Sequence, residues 1–120
     1  MGTTWVKRRT SKYGNKKTEM DGITFDSKKE ACRYAELKML EKAGAIQDLK
    51  LQQEFVLQKG YRHGKTGKWV KPITYKCDFC YLRGGEFVIE DVKSDATRKD
   101  AVYRLKKKMM EYKGSYITEV

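Results

Sequence analysis

Residues 73–93 read ITYKCDFCYLRGGEFVIEDVK, two runs rich in β-branched and aromatic residues joined at Gly84-Gly85. A two-glycine step between such runs signals a two-residue hairpin, because both turn positions need positive φ. With the turn there, Arg83 faces Glu86, and each step outward pairs one residue from each strand. Cys80 then lies opposite Ile89, Asp78 opposite Asp91, and Lys76 opposite Lys93. Strand side chains alternate between faces, so Asp78, Asp91 and Lys93 project to one side with Cys80, Leu82, Phe87 and Ile89. Glu90 projects to the other, among Cys77, Phe79, Tyr81, Val88 and Val92.

Two carboxylates directly opposite each other in a sheet repel. Desolvating them adds several kcal/mol where nothing compensates. A divalent cation offsets both effects, and Mg²⁺ is commonly held by one or two carboxylates while keeping positions for water and phosphate oxygens. Mn²⁺ is the natural substitute. Lys93, on the same strand and face as Asp91, is placed to position an attacking water or to stabilise charge building on a phosphate. The plainer alternative is a salt-bridged Asp–Lys cluster on a solvent-facing sheet edge.

Outward from this hairpin the chain reads as one mixed α/β domain. Asp21-Gly22 lies between short β-prone runs, a second type I′ hairpin signal. Ser27-Lys28-Lys29-Glu30 is a capping-box pattern opening a helix, whose apolar face is expected at Ala31, Tyr34, Ala35, Met39 and Ala43, with Gly44 as the stop. Residues 46–58 are expected as one half-buried strand, with Leu49, Leu51, Phe55 and Leu57 at the same parity. Residues 73–82 and 86–93 are two more. Ala101, Val102, Leu105, Met109 and Tyr112 recur at helical spacing up to Gly114, and 115–120 reads as a last strand. The order is hairpin, helix, three strands, helix, strand, around a central sheet.

Lys and Arg number 27 against 16 Asp and Glu, a net charge of +11 on 120 residues. That length suits a single domain. So large an excess on so small a domain points to a polyanion, most simply nucleic acid. Residues 1–17 hold Lys7, Arg8, Arg9, Lys12, Lys16 and Lys17 with no acid, and read as a flexible basic arm preceding a domain over 18–120. Residues 59–71 (KGYRHGKTGKWVK) are also acid-free. Arg62, Lys65 and Lys68 alternate there with Tyr61 and Trp69, and three glycines mark a loop or the tip of a long hairpin. Cations interleaved with aromatics suit phosphate contact plus base stacking. Lys106 and Lys107 add a third basic group within the second helical pattern.

No run approaches the roughly 18 apolar residues of a membrane span, and the N-terminal stretch has no secretory apolar core. The odd count of three cysteines makes a disulfide framework unexpected and a reducing cytoplasm the expected location. Cys77-x-x-Cys80 is a C-x-x-C, but residues three apart in a strand face opposite sides. With no second pair in the chain, zinc is not the reading adopted.

The Asp78 … Asp91-Val92-Lys93 pattern resembles the core motif of the PD-(D/E)XK nuclease superfamily. The wider chain, from KYGNKKTEMDGITFDSKKEACRY through YKCDFCYL and FVIEDVKS to ITEV, looks like a family of small phage proteins of unknown function assigned to that superfamily. The resemblance covers about residues 12–120. It implies a restriction-endonuclease-like core, in which a central mixed sheet with an antiparallel meander is flanked by two helices. It also implies a metal shell of Asp78, Asp91 and, from the first helix, Glu30, with Lys93 as the catalytic lysine. Glu30 equally suits a helix cap, as partner of Ser27. Two features depart from the family pattern: Cys77 replaces the frequent proline before the first aspartate, and the middle acid is Asp91 rather than glutamate. Tyr103 and Lys106 are placed to line the cleft.

The function this implies is a Mg²⁺-dependent endodeoxyribonuclease, acting on branched recombination or replication intermediates of a phage in the host cytoplasm. A more distant likeness runs to RecU-type Holliday junction resolvases and to transposase nuclease subunits. A resolvase of that kind would need a homodimer. The alternative is a non-catalytic nucleic-acid-binding or host-interaction module on the same fold.

Overall fold

The Asp21-Gly22 step turns as expected: both residues have positive φ, 54° and 75°, and join β1 (Thr18–Met20) to β2 (Ile23–Phe25). The structure, a computed structural model, describes residues 16–120, so Lys7, Arg8, Arg9 and Lys12 lie outside the described residues. Helix α1 (Lys28–Lys42) starts at Ser27, whose Oγ accepts the Glu30 N–H at 3.1 Å, and gives way to Gly44 at φ 84°.

Residues 46–58 are not one strand. They form β3 (Gln47–Leu51) and β4 (Glu54–Gln58), separated by a bend at Gln52, whose φ is 56°. After β5 (Tyr61–Arg62) and β6 (Trp69–Val70), the return run is broken at the matching place into β7 (Ile73–Lys76) and β8 (Phe79–Arg83). Two backbone bonds, Gln52 N–H to the Asp78 carbonyl (3.1 Å) and Cys77 N–H to the Gln53 carbonyl (3.0 Å), join the two bends. Residues 47–83 are therefore one long antiparallel ribbon with a shared kink, and β5–β6 is its tip. The kink corrects two expectations. Lys76 pairs with Glu54 rather than with Lys93, and Cys77 turns to the same side as Cys80.

The chain continues through β9 (Glu86–Asp91), α2 (Asp95–Arg98), α3 (Ala101–Tyr112) and β10 (Ile117–Glu119). The central sheet has the order β10-β9-β8-β3, with β10 parallel to β9 and the other pairs antiparallel. The domain is thus α/β, with a mixed central sheet, further antiparallel pairs and three helices among the described residues. The short α2 was not anticipated. Its cap is legible in retrospect, because Ser94 and Thr97 bond each other's backbone N–H reciprocally. No helix among the described residues is long and apolar enough to cross a membrane.

Each face of the sheet carries a core. On one side Phe79, Tyr81, Val88 and Val92 pack under α1 through Ala31, Tyr34 and Leu37. On the other, Cys77, Cys80, Ile89 and Ile117 pack under α3 through Tyr103 and Met110. The α3 face is rotated from the expected one, whereas α1 buries Ala31 and Tyr34 as expected and adds Leu37 in place of Met39. In α1, Leu37 is fully buried while Met39 is 72% exposed. In α3, Val102, Leu105 and Tyr112 face outward, and Tyr103 and Met110 face in.

This rotation has a direct test. In urea titrations, Leu37→Ala should lose about 2–5 kcal/mol, as large-to-small core truncations do. Leu105→Ser should stay within about 0.5 kcal/mol, as exposed substitutions usually do. A loss at Leu105 equal to that at Leu37 would put Leu105 in the core instead.

Candidate active site

Asp78 sits in the kink between β7 and β8, and Asp91 closes β9. The β8–β9 register runs Arg83 to Glu86, Cys80 to Ile89 and Phe79 to Glu90, so the next position outward sets Asp78 beside Asp91. The two aspartates are locked crosswise by the backbone amides of Asp78 and Val92. The Asp78 N–H donates to Asp91 Oδ1 at 3.0 Å, and the Val92 N–H donates to Asp78 Oδ2 at 2.8 Å. The Tyr75 hydroxyl donates to Asp91 Oδ2, which Lys93 Nζ also approaches at 3.5 Å. Among the described residues, no protein donor reaches Asp78 Oδ1.

Burial dominates the electrostatics. The Asp78 carboxyl is pushed up to about 7, first by burial and then by the negative charges of Asp91 and Glu30. Asp91, 2% exposed, is also raised by burial, although Tyr75, Lys93 and the Asp78 N–H work against it. Glu30 is 5% exposed at the N-terminus of α1 and is raised by burial and then by Asp26, with Asp91 adding to the effect. Three acids thus sense one another in one poorly solvated region. Tyr75 itself is raised by burial and by Asp91, so its hydroxyl keeps its proton and serves as a donor.

Lys93 Nζ lies 4.1 Å from the centroid of the Tyr103 ring, a cation–π contact that fixes the ammonium over the site. Tyr103 is held in turn by its hydroxyl, which donates to Glu119 Oε2 at 2.6 Å. Glu119 also takes Lys107 Nζ at 3.0 Å and Arg98 Nε at 3.4 Å. At the other edge, Lys29 Nζ donates to the Lys93 carbonyl at 3.0 Å.

Of the residues expected from sequence, Asp78, Asp91 and Lys93 meet, and Glu30 comes within electrostatic reach. Tyr75, Glu119 and Arg98 were missed. Lys107 rather than Lys106 joins the site network, a choice readable from its i+4 spacing to Tyr103. Arg62 and Trp69 stack on each other in the β5–β6 ribbon, and Lys65 and Lys68 are exposed at its tip. Cys77 and Cys80 share one core cluster rather than opposite faces. Burial pushes the Cys77 thiol up to about 12, which leaves it a protonated core residue instead of a thiolate ligand.

The donor set suits a hard cation. It consists of carboxylate oxygens, two of them adjacent and incompletely neutralised, with one Asp78 oxygen unclaimed by described residues. No three His, Cys, Asp or Glu side chains among the described residues converge as a ready-made cage. Asp78 and Asp91 are the pair that would hold the ion, with Glu30 behind them.

The raised Asp78 pKa carries a pH signature. The folded state holds a proton that the unfolded chain releases at its ordinary value of 3.8. The associated stability is full below that value and is lost as pH rises through about 7. Melts in EDTA should therefore show Tm falling from pH 5 to 8, and Asp78→Asn should flatten that fall. Adding Mg²⁺ should raise Tm at pH 8 more than at pH 5. A Tm indifferent to Mg²⁺ at pH 8 would count against a cation site.

No curated protein and no solved structure matches the chain. A family model does: residues 10–119 match the one described as a protein of unknown function (DUF1064). The kinked ribbon, the paired aspartates and the helices on both faces all fall inside that match, and the chain belongs to the DUF1064 family.

Proposed function

We propose that this protein is a Mg²⁺-dependent endodeoxyribonuclease with a restriction-endonuclease-like core, acting on branched recombination or replication DNA. The observation that carries the reading is the reciprocal lock of Asp78 and Asp91, with Lys93 held beside them. Helices on opposite faces of a mixed sheet, and acids at the ends of neighbouring strands, support the superfamily resemblance. Asp78 and Asp91 would hold a divalent cation, which when bound would supply Lewis-acid stabilisation of phosphate charge and a water of lowered pKa. Mn²⁺ accepts the same oxygen donors.

The protein's own groups do the rest. Asp78 and Asp91 are pre-oriented by backbone N–H groups, so no side-chain reorganisation is needed as charge develops. The Lys93 ammonium, steadied by Asp91 and the Tyr103 ring, stabilises negative charge on the phosphate under attack. The Glu119 carboxylate pairs with Lys107 and Arg98 and orders a cationic rim beside Lys93. Exposed Lys65 and Lys68 hold the DNA backbone. Symmetric cutting of a four-way junction requires two copies of the chain.

One observation favours a second reading. Both Asp91 oxygens already have partners: the Asp78 N–H on one, Tyr75 and Lys93 on the other. A self-satisfied cluster is what a non-catalytic DNA-binding module on this fold would retain.

Cleavage of four-way-junction, flap, single-stranded and duplex DNA in Mg²⁺, Mn²⁺ or EDTA separates the two. The nuclease reading expects metal-dependent cutting, reduced at least about 100-fold in Asp91→Ala and Lys93→Ala. Binding measured in EDTA should persist in both variants, whereas Lys65→Ala should weaken binding and shrink its salt dependence. Tight, salt-sensitive binding without cutting of any substrate would select the module.

A further inference from the structure

The β5–β6 ribbon is ordered without being buried. Its strands pair at two positions, Tyr61 with Val70 and Arg62 with Trp69, and a two-stranded hairpin this short is marginal in water. Local contacts replace a core. The His63 N–H and carbonyl bond the Lys68 carbonyl and the Gly67 N–H, each at 2.8 Å. His63 Nδ1 accepts the Lys65 and Thr66 N–H groups at 3.1 and 3.2 Å, closing the tip. Arg62 lies 5.6 Å from the Trp69 ring centroid, on the same face of the ribbon. The six-membered ring of the indole also lies against Gly60, where an added Cβ would stand 2.3 Å from a ring carbon.

Trp69 is nevertheless 54% exposed. A fixed indole that buries so little of itself contributes little to the fold, yet three local features hold it in place: Gly60, Arg62 and the tip closed by His63. The segment around it, 59–71, has five cations and no acid.

We propose that Trp69, braced by Arg62 and Gly60, is a stacking platform for an unpaired nucleobase, with Lys65 and Lys68 holding the adjoining phosphates. Unpaired bases offer a free π-face that duplex DNA keeps within its stack, so the platform selects the single-stranded part of a branched substrate. This deepens the proposed function and rests on its nucleic-acid half, independently of catalysis.

The test uses the full chain carrying Trp5→Phe, which leaves Trp69 as the sole tryptophan. Its fluorescence is titrated in EDTA with a twelve-base oligo-dT, the matching oligo-rU, a flap and a blunt duplex. Saturable quenching by the single strands and the flap, with little by the duplex, is expected. Trp69→Ala should weaken oligo-dT binding about tenfold and leave duplex binding within about twofold. Gly60→Ala, which displaces the indole without deleting it, should weaken the same interaction. Equal quenching by duplex, or equal losses for both DNAs in Trp69→Ala, would overturn the platform. Because no cutting occurs in EDTA, a failed cleavage assay leaves this result standing, and metal-dependent cleavage unaffected by Trp69→Ala would reject the platform alone.

Discussion

The turn at Gly84-Gly85, with φ of 58° and 84°, sets the register of β8 against β9, and both buried acids of β9 depend on that register. Both positions lie in the left-handed region that favours glycine, which suits a two-residue loop whose twist matches these strands. A slip by one residue would exchange the faces of Glu90 and Asp91. Glu90 would then leave its arginine, and Asp91 would enter the apolar layer beneath α1. The apolar residues on both faces oppose such a slip. The same alternation that builds two cores therefore also places the site.

Glu90 and Asp91 are neighbours, each 2% exposed, and their environments push them in opposite directions. Burial raises Glu90, but the two-point contact from Arg33, at 2.8 and 2.6 Å, and the Tyr81 hydroxyl outweigh it, and its pKa falls below the ordinary value. Asp91 has a tyrosine, a backbone N–H and a lysine at 3.5 Å, and burial still wins. The first acid is fully balanced and ties α1 to the sheet. The second is balanced only in part and lies beside another raised acid. Perturbed, incompletely compensated carboxyls in contact are where a cation or a charged substrate gains most. Arg33 is one turn after Glu30 on α1, so the structural pair also fixes how far Glu30 reaches toward Asp78.

Local signals in the chain were faithful where backbone chemistry decides. The glycine turns, the Ser27 cap, the β8–β9 register and the existence of the closing strand were all legible. Failures came where tertiary pairing decides. Nothing in residues 46–58 or 73–82 shows that two long runs share a kink, because Gln52 and Asp78 carry no turn signature of their own. That kink moved Cys77 across the sheet and separated Lys76 from Lys93. The site followed the same division. Asp78, Asp91 and Lys93 were readable from parity, whereas Tyr75 reaches Asp91 only because the ribbon bends toward it.

Helix α3 shows why a sequence pattern can select the wrong face. It carries two candidate rows: Val102, Leu105 and Tyr112 on one side, Tyr103 and Met110 on the other, with half-buried Met109 packed at the edge of the core. By apolar content the first row should be inside. The second is inside because Tyr103 has two partners there that no leucine could satisfy, the Lys93 ammonium against its ring and the Glu119 carboxylate at its hydroxyl. Lys107, four residues on, reaches the same carboxylate. Turning the helix to bury the first row would remove the Tyr103 ring from Lys93 and the Tyr103 hydroxyl and Lys107 from Glu119, setting apolar side chains against both charges. Exposing Val102 and Leu105 forfeits less. The charged end of the sheet thus dictates the orientation of the helix above it, and polar demands at the site outrank hydrophobic patterning in the packing of this domain.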